Sequence, residues 1–126
     1  MQEFMLLVRN LRDSKETFSD AEHEEFLNAC KTYIQQLEEG GNMISAQPLV
    51  RDGVMLSSQK RSFTEAAYAT TAEVIVGYYH IRARDLQDAI AIAKGNPEFT
   101  YTNTARIEVR PIKMKEDTTA YVYPSA

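Results

Sequence analysis

The sequence predicts an α+β fold, an antiparallel sheet with helices packed on one face, and three observations carry that prediction. Apolar segments of strand length recur at residues 3–10, 42–50, 73–83 and 105–112. Two helical segments, near 20–39 and 85–95, interrupt them in the order strand, helix, strand, strand, helix, strand. Each helical segment is apolar along one stripe only, so each can cover a single layer of sheet.

The first segment, "EFMLLVRN", is too short for a stable helix and ends in a polar loop, which favours a strand. The first helix then opens at Ser19. Its hydroxyl can cap the backbone while Glu22, three residues on, reaches back to the cap amide, and Asp20 suits the positive end of the helix dipole. Phe26, Cys30, Tyr33, Ile34 and Leu37 share one face, and Gly40 and Gly41 end the run. "NMISAQPLV" is a second strand. "RDGV", residues 51–54, places Asp-Gly between apolar stretches, the strongest short signal for a tight turn, so "VMLSS" is expected to fold back on that strand. Residues 59–72 hold no sustained period and are expected to form an irregular loop, which at this length is more often functional than accidental.

"EVIVGYYHIRA" is the inner strand. The second helix follows with Asp85 as cap and with Leu86, Ala89, Ile92 and Ala93 facing inward, and "KGNP" ends it with a cation, a glycine and then a proline. After the polar link "EFTYTNT", "ARIEVRPI" alternates apolar and charged residues, as a half-buried strand does. This order is the ferredoxin-like split βαβ plan with a hairpin insertion. The 126 residues suit one domain over 1–126, with 114–126 as a C-terminal tail or arm.

Composition narrows the function classes. With 44% hydrophobic and 25% charged residues the chain is an ordinary globular one, and no apolar run approaches a membrane span or a secretory signal, so a cytoplasmic location is expected. A net charge of −4 with interspersed signs argues against nucleic acid. Two histidines without spaced partners give no metal signature, and no cofactor is expected; His23 lies among surface glutamates. The lone Cys30 reads as a small buried hydrophobe rather than a nucleophile. Glycine-rich phosphate loops and Gly-x-Ser-x-Gly elbows are absent from the sequence.

"EVIVGYYHIRARDLQDAIAIAK" and "IEVRPI" resemble the YCII-related family, in particular the branch named for an Asp-Gly-Pro-Phe signature. The resemblance extends to about residue 113. The signature positions fall on "EAAY", residues 65–68, so Glu65 stands for the acid and Tyr68 for the aromatic, while the Gly-Pro turn is replaced by alanines. In the other branch a helix histidine has been proposed to pair with a carboxylate near the closing strand; those positions fall on Cys30 and Glu108, so that dyad does not carry over. The resemblance implies a ferredoxin-like domain of the dimeric α+β barrel type, associating through its sheet. It also implies a mostly uncharacterised pocket, with a few relatives linked to dehalogenation-type lyase chemistry and others encoded near sigma factors.

Strand alternation puts Val74, Val76, Tyr78, His80 and Arg82 on one face of the inner strand and Ile75, Gly77, Tyr79 and Ile81 on the other. With the apolar sets beneath the helices, Tyr78, His80, Arg106, Glu108 and Arg110 occupy the open face, and Arg9 joins them if its register allows. His80 and Glu108 are the candidate catalytic groups, although about 10 Å apart across an intervening strand and so not a bonded dyad. Between them a small organic anion is expected, with Arg106 or Arg110 clamping its carboxylate and His80 moving a proton; Tyr78, Arg9, Glu65 and Tyr68 complete the candidate ligand set. The alternative is a homodimer interface or regulatory face, in which the same charges are ion pairs and His80 is a satisfied interface histidine.

Overall fold

A computed structural model describes residues 1–67 and 73–124. The chain runs β1 (Gln2–Leu11), α1 (Asp20–Glu39), β2 (Met43–Pro48), β3 (Val54–Gln59), β4 (Ser62–Ala67), β5 (Glu73–Ala83), α2 (Leu86–Lys94), α3 (Pro97–Tyr101) and β6 (Arg106–Pro111). Four strands form an antiparallel sheet in the order β2-β5-β1-β6, and β3 and β4 form a separate two-stranded sheet. This is the expected ferredoxin-like α+β architecture. Among the described residues the sheet is open rather than closed into a barrel, and no helix is long and apolar enough to cross a membrane.

β1 lies between β5 and β6, so its alternation sets both faces. Phe4, Leu6, Val8 and Asn10 are buried beneath the helices, while Glu3, Met5, Leu7 and Arg9 on the open face are half-buried. Phe4, Leu6, Ile81, Ala83, Ala89 and Ala93 form the core, with Tyr79, Ile107 and Val109 against them. Each of the three largest, wholly buried in the core, contributes roughly 1.5–3 kcal/mol relative to an exposed position. Asn10, fully buried at the end of β1, has its polar atoms bonded to Thr102, Thr104 and the Leu11 amide.

α1 starts as its sequence implies. Ser19 Oγ accepts from the Glu22 amide at 3.1 Å and the Glu22 carboxylate accepts from the Ser19 amide at 3.1 Å. The helix is fastened to the sheet by Tyr33, whose ring meets Tyr79 edge-on at 5.4 Å and whose hydroxyl donates to the Ile92 carbonyl at 2.6 Å.

Several expectations are corrected. The "RDGV" segment does not turn β3 back on β2: β2 pairs with β5, Ala46 opposite Tyr79, and the Leu49 amide extends that edge onto the Val76 carbonyl at 2.9 Å. β3 pairs instead with β4, so the irregular loop expected over 59–72 contains a strand. Its turn, Lys60-Arg61, has φ of 49° and 69°, a conformation usually marked by Asn-Gly and invisible here in the residue types. Asn96 and Pro97 do more than stop α2, because they cap and begin α3 within the expected polar link. Leu86, expected to face inward, is 43% exposed.

The correction with most consequence lies in β5. The register passes from Val8↔Gly77 to Arg9↔Ile75, so Val76 is an extra residue in a bulge and the alternation inverts below it. Glu73 and Ile75, rather than Val74 and Val76, share the open face with Tyr78 and His80. Gly77 permits the accompanying close approach of β2. A Cβ there would stand 3.0 Å from the Gln47 carbonyl oxygen and 3.2 Å from Pro48 Cα, both backbone atoms. Gly77→Ala is therefore expected to cost about 1–3 kcal/mol, as a fall in the urea midpoint at unchanged slope; an unaltered midpoint would contradict this packing.

Candidate functional site

The open face brings together most of the expected polar residues, but in pairs. Arg106 grips Glu73 with two nitrogens at 2.7 and 2.8 Å. Arg9 donates to one oxygen of Glu108 at 3.2–3.3 Å, and Arg110 approaches the other at 3.4 Å. His80 Nε2 lies 2.7 Å from Glu3 Oε1, and the Tyr78 hydroxyl is 3.3 Å from Ser45 Oγ. The register sets His80 across β1 from Arg110 and Tyr78 across from Glu108, so His80 and Glu108 are two strands apart and offset, at least about 10 Å. The bond to Arg106, with the nearby charge of Arg9, holds the Glu73 carboxyl below its ordinary range. Glu65 lies on β4, exposed, in the sheet that shares no strand with this face, and Tyr68 lies outside the described residues.

A different concavity lies on the helix-covered side. Between α1 and the β2–β5 edge there is a cleft of about 490 Å³, mostly apolar, walled by Phe26, Leu27, Ile34, Pro48 and Val76. Its polar groups include Lys15 after β1, His23 and Lys31 on α1, Gln47 on β2, Arg51 in the segment after β2, and Asn96 and Glu98 at the start of α3. The Asn96 side-chain oxygen accepts from the Glu98 amide at 2.9 Å, which fixes both residues. Lys15 donates to one Glu98 oxygen at 2.5 Å while lying 4.9 Å over the Phe26 ring. Of the remaining atoms, Asn96 Nδ2 is directed at the Tyr79 hydroxyl, and Glu98 Oε2 has no hydrogen-bond partner among the described residues, although Glu98 is only 4% exposed. Buried polar groups are normally satisfied, since an unpaired one costs about 1–3 kcal/mol.

Cys30 and Tyr79 line the same cleft. Burial, and then the negative charge of Glu98, push the Cys30 thiol up to about 11, so at neutral pH it is protonated and a poor nucleophile. Burial likewise raises the Tyr79 phenol. Among the described residues no three His, Cys, Asp or Glu side chains converge as a metal ion would require.

A model of the YCII-related domain matches residues 3–114, nearly the whole of the fold just described. The chain belongs to the YCII-related family. No curated protein matches it. Within the YCII-related fold the match runs from β1 through β6 and so takes in both the open face and the cleft beneath α1. Cys30, which stands where the resemblance puts a helix histidine, lines that cleft, whereas Glu108 is on the opposite face of the sheet.

Sequence reasoning passed over Lys15, Asn96 and Glu98. A signal was present in "NPE", an asparagine cap followed by proline and an acid, which is a helix start as much as a helix stop. Lys15, in an irregular turn more than eighty positions away, carried none. The thiol gives a direct check. Alkylation of Cys30 by iodoacetamide at pH 8 is expected to be at least tenfold slower in the native protein than in urea, because the folded thiol is raised and half-buried. Equal rates in the two states would remove Cys30 from the cleft wall.

Proposed function

We propose that this YCII-related protein binds a small organic molecule in the cleft beneath α1, and that its open sheet face joins two copies of the chain. The observation that supports the first part is a mostly apolar cleft whose wall includes Glu98, a buried carboxylate with one oxygen, Oε2, unpartnered among the described residues. Such a site asks for a largely apolar ligand that presents a hydrogen-bond donor, such as a hydroxyl, to Glu98. Lys15 already pairs with Glu98, so the group that meets the second Glu98 oxygen is a neutral donor. Because Glu98 Oε2 is an acceptor, it is also the group placed to take a proton from a bound hydroxyl.

A thermal-shift series with neutral aromatic alcohols tests this. A ligand at a hundredfold its Kd should stabilise the native protein by about 2.7 kcal/mol. Glu98→Gln and Cys30→Phe, the latter filling the cleft, should each abolish the ligand-dependent increment. Increments that persist in both folded variants would place the ligand elsewhere.

The second part rests on the open face. Its acids are each paired with a base, and between them run the half-buried Met5 and Leu7. A patch of this kind, apolar at the centre with a charged rim, suits a subunit contact. In this reading the anion expected between His80 and Glu108 has no unengaged cation there to meet it, since Arg106 and Arg110 are spent on Glu73 and Glu108. Sedimentation should give a dimer that Leu7→Arg converts to monomer; a monomeric parent would end the proposal.

A further inference from the structure

The structure assigns a second binding site, for a small organic carboxylate, to a cleft at the end of the open face where β1 and β5 meet the segment linking β2 to β3. The cleft has a volume of about 410 Å³ and is lined by Arg9, Arg12, Arg51, Glu73 and an apolar patch that includes Val50, Met55 and Ile75.

Charge is the first argument. In a chain of net charge −4, three guanidinium groups converge on this cleft against one lining carboxylate, and Glu73 is already held by Arg106. Widening the count to every charged side chain bonded to these residues gives Arg9, Arg12, Arg51 and Arg106 against Asp52, Glu73 and Glu108, still an excess of one positive charge. Like charges gathered in a concave, partly apolar site attract an anion from solution and hold it more firmly than they would on an open surface.

Donor accounting is the second. Arg51 gives Nε and one terminal nitrogen to backbone carbonyls of Arg12, Leu49 and Val76, so its role is to fix the wall. Arg9 spends one edge of its fork, Nε and one terminal nitrogen, on Glu108. Arg12 is the least engaged. Its one ionic neighbour is Asp52, at 3.9 Å and 93% exposed, and its Nε is buried with no hydrogen-bond partner among the described residues. Nε being buried, the terminal nitrogens of Arg12 are the donors left for a carboxylate, which they can take in the two-bond geometry guanidinium favours. The apolar patch selects an anion with a hydrocarbon body over an inorganic one.

Benzoate, benzyl alcohol and inorganic phosphate, titrated separately into the 15N-labelled full chain, make the test. Benzoate should shift the amides of residues 9–12, 49–55 and 73–75, with an affinity that weakens at least threefold between 20 and 200 mM salt. Arg12→Gln should weaken it at least tenfold, Arg12→Lys should lie between, and Arg110→Gln should leave it within twofold. Glu98→Gln should not affect it, so this site and the cleft beneath α1 stand or fall separately. The assignment is overturned if benzoate binds a folded Arg12→Lys and the parent equally, if benzyl alcohol shifts the same amides as strongly, or if phosphate binds as tightly as benzoate.

Discussion

The structure depends on β1 being paired along both edges while helices cover only one of its faces. A strand hydrogen-bonded on both sides has no rotational freedom, so each of its residues is committed to one layer or the other. Phe4, Leu6 and Val8 take the helical layer and supply the centre of the core. Glu3, Met5, Leu7 and Arg9 must then face outward in a row, and the sheet acquires a second surface that the chain's own helices do not cover. The ion pairs on that surface follow from this constraint. Arg9 meets Glu108 from β1 to β6 and Glu73 meets Arg106 across β1, while Arg110 reaches Glu108 along β6 itself.

The bulge at Val76 modifies the constraint at one point and thereby separates two chemistries. Above it, β5 keeps Tyr79 and Ile81 under the helices and His80 outside. Below it, the inverted alternation turns Glu73 outward to Arg106 and leaves Val76 buried at the floor of the cleft beneath α1. One cleft is mostly apolar and holds the Lys15–Glu98 pair, the other gathers Arg9 and Arg12 beside an apolar wall, and Arg51 lines both. The difference in ligand class proposed for the two follows from which side of the sheet each occupies.

The architecture was legible because it rests on periodicity. The Ser19–Glu22 capping box, the stripe from Phe26 to Leu37 and the alternation of "ARIEVRPI" each declare an element, and together they impose the strand order. The pairing of β3 was not legible: Asp52-Gly53 forms no tight turn, and β3 turns instead at Lys60-Arg61, whose residue types carry no such signal. The bulge was not legible either: period-two reasoning has no term for an extra residue, and only the fixed register of β1 exposes it. The polar groups of the cleft came from long-range contacts, Lys15 to Glu98 above all, for which local pattern holds no information. Local pattern did place Arg106 on the open face and left Arg9 to the register of β1, and it gave the partner of neither.

The central claim is that the concavity beneath α1, built around Asn96 and Glu98, is where this YCII-related protein receives a neutral small molecule. Intermolecular nuclear Overhauser effects between a bound aromatic alcohol and the protein test it most directly. Contacts from the ligand ring to the side chains of Phe26, Ile34 and Val76, with its hydroxyl beside Glu98, are the predicted result. Contacts confined to Met5, Leu7 and Tyr78 on the open face would contradict the account.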